Sequence, residues 1–221
     1  MVRIAGFKKQ SLIDYPGNIS AVVFTQGCNF RCGFCHNPDL VLPEKFGTTY
    51  DEEQIFQYLQ KYRKLLDAVC ITGGEPTIHK SLPEFIKRIK GLELKVKLDS
   101  NGTNPDMLRY LFKNHLVDFI DMDIKHVLAF EDYNKTVGNW ISEDLFLKIL
   151  DSIELIEGSK IHYEFRTTVV SGLHNKDQIK MINDRFKGHY KIQNFNPAIV
   201  LNPKLNLKPF PESEYSELLC S

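Results

Sequence analysis

Apolar runs and turn residues alternate along the chain with a regular beat. Residues 19–25 (ISAVVFT) form a continuous apolar, β-branched run ended by Gly27, the pattern of a buried strand. Residues 51–66 instead repeat Ile55, Tyr58, Leu59, Tyr62, Leu65 and Leu66 at helical spacing, behind Thr48, Thr49 and a cluster of acids. A strand over 68–72 follows and runs into Gly-Gly-Glu-Pro, after which Pro83 opens a helix to about Lys90. Leu94, Val96 and Leu98 alternate with lysines as a third strand, and a short helix is predicted over 105–113. A strand over 119–124, an irregular stretch, a helix over 143–157, a strand over 161–170, a helix over 177–186 and a strand over 190–195 complete the pattern.

Strands that alternate with helices imply right-handed crossovers and a mainly parallel sheet. Six strands are too few for a closed eight-stranded barrel. The expected architecture is therefore α/β, an open six-stranded parallel (β/α)6 partial barrel, with a flat doubly wound sheet as the alternative. The chain reads as one domain, residues 1–221, with a core over about 19–198. The proline-bearing tail over 199–221 is expected to be extended, with a helical turn over 214–219. Residues 26–46 are long, Gly/Pro/Asn-bearing and rich in cysteine, which marks a functional loop.

Composition narrows the class. The 221 residues are 43% hydrophobic and 25% charged, with 28 basic and 28 acidic side chains. That balance suits a globular protein and argues against the basic footprint of a nucleic-acid binder. No run approaches the ~20 apolar residues of a membrane span, and charge interrupts the first seventeen residues too soon for a signal peptide. A cytoplasmic protein without membrane or nucleic-acid partners is expected.

The five cysteines carry the chemistry. Cys28, Cys32 and Cys35 form CxxxCxxC in the loop after a buried strand. An odd number, three of them clustered, is a poor disulfide framework and points to metal or redox chemistry. Three thiolates at this spacing can hold three corners of a [4Fe–4S] cluster and leave one iron open to a small ligand. A structural zinc site completed by His36, or a binding module without catalysis, remains the bland alternative. Cys70 lies in an apolar run and reads as a small core residue, and Cys220 as a free tail thiol. The six His residues other than His36 show no ligand spacing and read as surface or satisfied loop groups.

Three further motifs end predicted strands, at the edge where parallel α/β folds build their sites. Gly73-Gly74-Glu75-Pro76 lets backbone approach a ligand and offers carbonyls or Glu75 to an ammonium group. Asp99-Ser100-Asn101-Gly102 is either a turn or a binding loop. Asp121, Asp123 and Lys125 share one strand face, and buried charges need partners. Arg166, in a β-branched strand, needs one too.

The string GCNFRCGFCHNPDL, preceded by SLIDYPG, resembles the radical S-adenosylmethionine superfamily, and within it the activases of glycyl radical enzymes. It is most similar to the activating proteins of anaerobic ribonucleoside-triphosphate reductase. The resemblance spans about residues 4–168 and implies that Cys28, Cys32 and Cys35 ligate a [4Fe–4S] cluster whose open iron is chelated by S-adenosylmethionine. Reductive cleavage would give a 5′-deoxyadenosyl radical that installs a glycyl radical on a partner enzyme. Gly73, Gly74 and Glu75 then meet the cofactor's amino group. Phe34, His36, Asp99, Ser100, Asp123, Lys125 and Arg166 contact the rest of it, with Asn37 near the adenine and the incoming loop. A monovalent cation near Asp99 and Asp123, and a flavodoxin or ferredoxin-type electron donor, are implied as well. The resemblance leaves open a radical enzyme acting on a small molecule or peptide. One departure is visible: residues 193–198 (QNFNPA) offer no histidine where some activases carry a cofactor-contacting one.

Overall fold

The computed structural model describes residues 1–219, so Cys220 lies outside the described residues. One sheet organises the molecule, built in strict chain order from β1 (Ile4–Ser11), β2 (Ser20–Thr25), β3 (Ala68–Gly73), β4 (Lys95–Ser100), β5 (Phe119–Asp123), β6 (His162–Val169) and β7 (Tyr190–Asn194). Strands β2 to β7 are parallel, and these are the six strands expected. The seventh, β1, pairs antiparallel with β2 and was not anticipated. Its sequence, IAGFKKQS, buries only its two end positions fully, so the edge strand lacks the apolar alternation that betrays the others.

Helices α1 (Pro38–Val41) and α2 (Glu52–Tyr62) connect β2 to β3; α3 (Leu82–Lys90) and α4 (Pro105–Lys113) follow β3 and β4. Helices α5 (Phe130–Thr136) and α6 (Glu143–Glu157) lie between β5 and β6, α7 (Lys176–Arg185) follows β6, and α8 (Glu212–Leu219) ends the described chain. Helix α5 occupies the stretch expected to be irregular, and α1 sits inside the cysteine loop. No helix among the described residues is long and apolar enough to cross a membrane.

A strand order that never reverses sends every right-handed crossover to the same side of the sheet. A doubly wound sheet reverses its order and covers both faces, so the flat alternative is excluded. The helix side carries the core: Val23, Val69, Ile71, Val96, Leu98, Ile120, Met122 and Phe165 are buried in one apolar cluster. By the two-residue period of a strand, the intervening positions face the other way. There the registered neighbours are Cys70 and Lys97, Asp99 and Asp121, and Asp123 and Arg166. The inner wall of the open barrel is thus polar and charged. Cys70 is buried as expected, but it sits on this wall, with Sγ 4.0 Å from Lys97 Nζ, rather than in the apolar cluster. The β1–β2 loop lies at the strands' N-terminal end, where Tyr15 meets Phe119 with ring centroids 5.6 Å apart.

Candidate functional site

The cysteine loop is held from three sides. The GGEP turn packs backbone to backbone against its start: Glu75 N–H donates to the Gly27 carbonyl at 2.8 Å and Gly74 N–H to that of Thr25 at 2.9 Å. A Cβ on Gly74 would collide with the Gly27 carbonyl, so only glycine fits. On a second side, Arg31 donates to the carbonyls of Cys28 and Phe30 at 2.8 and 2.7 Å and lays its guanidinium over Trp140. Its own N–H donates to Val137 in the segment after α5. From the third side, Asn202 N–H donates to the Gly33 carbonyl at 2.9 Å, and Leu205 covers the Gly33 Cα. The tail read as extended is therefore part of the loop's support.

Cys28, Cys32 and Cys35 are free thiols lining one cavity of about 300 Å³. Burial pushes the thiols of Cys28 and Cys32 up to about 12 and raises that of Cys35, while the nearby Lys125 ammonium pulls Cys32 and Cys35 back. Such thiols become thiolates when a metal's positive charge replaces their protons. Among the described residues no three His, Cys, Asp or Glu side chains close around a single-ion position. His36 lies against Phe195, with ring centroids 5.7 Å apart. Three soft thiol donors lining one cavity suit an iron–sulfur cluster, whereas a structural zinc site takes four donors.

Facing them is an alternating ring of charge. Arg166 Nε donates to Asp123 at 2.6 Å, while its two terminal nitrogens reach Asp121 at 3.1 Å and Asp99 at 3.2 Å. Lys125 caps Asp123 at 2.8 Å, and Lys97 bridges Asp99 and Asp121 at 2.7 and 2.6 Å. Three cations thus meet three carboxylates. Although burial opposes it, attraction to Arg166 and Lys125 holds the Asp123 carboxyl well below the usual carboxylate range. Burial, reinforced by Asp99, raises that of Asp121, whose Oδ1 has no hydrogen-bond partner. The guanidinium already spans Asp99 and Asp123, so a monovalent cation there would compete with Arg166.

Glu75 is buried, and burial raises its carboxyl pKa against the hydrogen bonds it accepts. Its Oε1 accepts from Thr77 N–H, Thr77 Oγ and Ser100 Oγ at 3.0, 2.6 and 2.9 Å, and its Oε2 from Asn101 N–H at 2.6 Å. The carboxylate ties the GGEP turn to the DSNG turn.

All thirteen site residues drawn from the sequence line this one cavity: the three cysteines, Phe34, His36, Gly73, Gly74, Glu75, Asp99, Ser100, Asp123, Lys125 and Arg166. Sequence reasoning missed Asp14, Thr168 and Gln193, which also line it, and Lys97, which neutralises Asp99 and Asp121 from below. Asp14, in SLIDYPG, could have been flagged as an acid between apolar residues; its carboxylate accepts from Ser11 Oγ and pairs with Lys8. Of the histidines expected to be surface or satisfied loop groups, His126 and His174 are loop residues with backbone partners, not surface groups. Both are buried and stacked at 5.0 Å, with His174 Nε2–H donating to the Lys125 carbonyl at 2.9 Å.

A sequence model of the Radical SAM superfamily matches residues 22–184. The chain belongs to that superfamily. It is 35% identical over 220 residues, 97% of this chain and 89% of the other, to "Putative glycyl-radical enzyme activating enzyme MJ1227" of Methanocaldococcus jannaschii. It is also 27% identical, over 89% of its length and 87% of the other, to the pyruvate formate-lyase-activating enzyme of Clostridium pasteurianum. Within the superfamily it groups with the activating enzymes. TYW1 with a lysine-pyruvate adduct bound shares the fold with a TM-score of 0.61 at 16% identity, covering 90% of this chain and 71% of that one. Native anSMEcpe with bound AdoMet does so with a TM-score of 0.58 at 17% identity, covering 76% and 49%. As a radical S-adenosylmethionine enzyme the chain uses a [4Fe–4S] cluster and S-adenosylmethionine, and the thiol wall described above fits the cluster.

Proposed function

We propose that this protein installs the glycyl radical of a partner enzyme, and that the partner is an anaerobic ribonucleoside-triphosphate reductase. What carries the reading is the meeting, in one cavity, of three free thiols and a charged ring built from Asp99, Asp123, Lys125 and Arg166. When bound, the cluster and S-adenosylmethionine supply a carbon radical able to take a hydrogen atom from a glycine Cα.

The chain's own residues bind and orient. Cys28, Cys32 and Cys35 would hold the cluster by three of its irons, leaving the fourth for S-adenosylmethionine. With the Glu75 side chain engaged within the protein, Gly73 and Gly74 would offer backbone carbonyls to the cofactor's ammonium group. Arg166 and Lys125 would supply positive charge for its carboxylate, Asp99 and Ser100 would hold the ribose, and Phe34 and His36 would wall the adenine side. Asp123 holds Arg166 and Lys125 apart and in place. The barrel has two unjoined edges, β1 and β7, and a partner's loop needs such a lateral opening. A low-potential flavodoxin or ferredoxin-type protein serves as electron donor. The chain acts as one domain in the cytoplasm, where its thiols stay reduced.

The test is anaerobic incubation of the reconstituted protein with S-adenosylmethionine, a flavodoxin-type reductant and the reductase large subunit. A glycyl doublet in the electron paramagnetic resonance spectrum supports the reading. A doublet only with pyruvate formate-lyase would reassign the partner, and none with any glycyl radical enzyme would favour a small-molecule or peptide substrate.

A further inference from the structure

Asn29 lies between Cys28 and Phe30 of the cavity wall, half-buried behind it. Its Nδ2 donates to Thr103 Oγ at 2.8 Å, Thr103 Oγ donates to Asn101 Oδ1 at 2.7 Å, and Asn101 Nδ2 returns to Asn29 Oδ1 at 2.8 Å. Thr103 N–H also donates to Asn101 Oδ1 at 3.1 Å, which fixes the orientation of that amide. Asn29 must therefore present its oxygen to Asn101 and its nitrogen to Thr103. An amide supplies both; a carboxylate has no donor for Thr103, and alanine has neither group. The ring is anchored in turn, because Asn101 N–H donates to Glu75 Oε2 and Ser100 Oγ to Glu75 Oε1. A continuous path of hydrogen bonds through these side chains thus joins the cysteine loop to both turns that face it, beside the backbone bonds from Gly74 and Glu75.

We propose that Asn29 is a positioning residue: through Asn101 and Thr103 it sets the cluster loop at a fixed distance from the GGEP and DSNG turns, and so sets the affinity for S-adenosylmethionine. This rests on the reading of the cavity given under Proposed function. A ring closed by three side chains acts as a unit, so breaking it at either of two points has the same consequence.

The experiment compares the reconstituted full-length protein with Asn29→Ala, Thr103→Val and the double variant. Iron content is measured, and S-adenosylmethionine is titrated into the reduced cluster while its electron paramagnetic resonance signal is followed. Each single variant should keep its iron and need about tenfold more S-adenosylmethionine for half the spectral change, equivalent to about 1.4 kcal/mol. The double variant should be no worse than either single one. Wild-type titration curves in the single variants, or strictly additive losses in the double, would overturn the proposal. So would loss of iron from Asn29→Ala with Thr103→Val unaffected, which would make Asn29 a folding determinant of the loop. A wild-type signal that ignores S-adenosylmethionine would instead sink the cavity reading itself.

Discussion

Arg166 and Asp123 are registered neighbours on β6 and β5, and the guanidinium Nε donates to the carboxylate at 2.6 Å while the same group reaches Asp121 and Asp99. One side chain pairs with three acids on two strands, sharing their charge with Lys97 and Lys125. Removing one partner of such a buried network leaves uncompensated charge. Arg166→Ala should cost about 3 kcal/mol, near the low end for a buried pair because the guanidinium is 30% exposed to the cavity. Arg166→Lys should recover only part, since a point charge cannot reach three carboxylates. Urea unfolding checks both, and equal stability of all three proteins contradicts this account.

Two glycines predict opposite kinds of damage. A Cβ at Gly33 would meet the tip of the Leu205 side chain, which is half exposed and can move, whereas one at Gly74 would meet the Gly27 carbonyl of the backbone. Gly33→Ala should leave the fold intact and loosen the tail, giving faster proteolysis near Asn202, with Leu205→Ala restoring resistance. Gly74→Ala should destabilise by at least about 2 kcal/mol, and no side-chain truncation should rescue it.

His174 gives the protein an acid limb. Burial lowers its pKa from 6.5 to about 4, with the neighbouring His126 adding to the shift. The unfolded chain thus binds the proton more readily between those values. His174's contribution is fully present above about pH 6.5, falls as the pH drops toward 4, and amounts to roughly 3 kcal/mol in all. Asp123, whose pKa is lowered, loses its contribution at more acid pH, below the ordinary carboxylate range. His174→Gln should flatten the stability profile between pH 6.5 and 4 while leaving the steeper decline below it. An unchanged limb would mean that other groups carry it.

Much of the fold was readable because β2 to β6 combine β-branched residues with turn chemistry at their ends, and glycine or proline punctuates the joins. The edge strand β1 and the seven-residue α5 escaped because neither carries a full period of apolar residues. The site was readable where its residues are rare types at fixed spacing, as in Cys28, Cys32 and Cys35. Lys97 was not. Alternation of Leu94, Val96 and Leu98 with lysines shows one apolar face, but it does not tell whether the lysine face meets water or a barrel interior. The answer is the interior: the Lys97 side chain is 3% exposed. Asn29 was equally silent, because its meaning depends on partners more than seventy positions away in the chain.

Cysteine roles divide cleanly. Cys28, Cys32 and Cys35 line the cavity, while Cys70 lies behind Lys97, deeper on the inner wall. Cys32→Ala should lose most of the reconstituted iron with the strand–helix core still folded, and Cys70→Ala should keep it all. Iron analysis beside circular dichroism checks this, and equal iron loss in both would remove the distinction.

Anaerobic reconstitution with iron and sulfide, followed by reduction in the presence of S-adenosylmethionine, decides whether the three cysteines hold a catalytic cluster. About four irons per chain are expected, with a reduced-cluster signal that changes when S-adenosylmethionine is added and release of 5′-deoxyadenosine with methionine. One bound zinc, no iron and no cleavage of S-adenosylmethionine would contradict such a cluster.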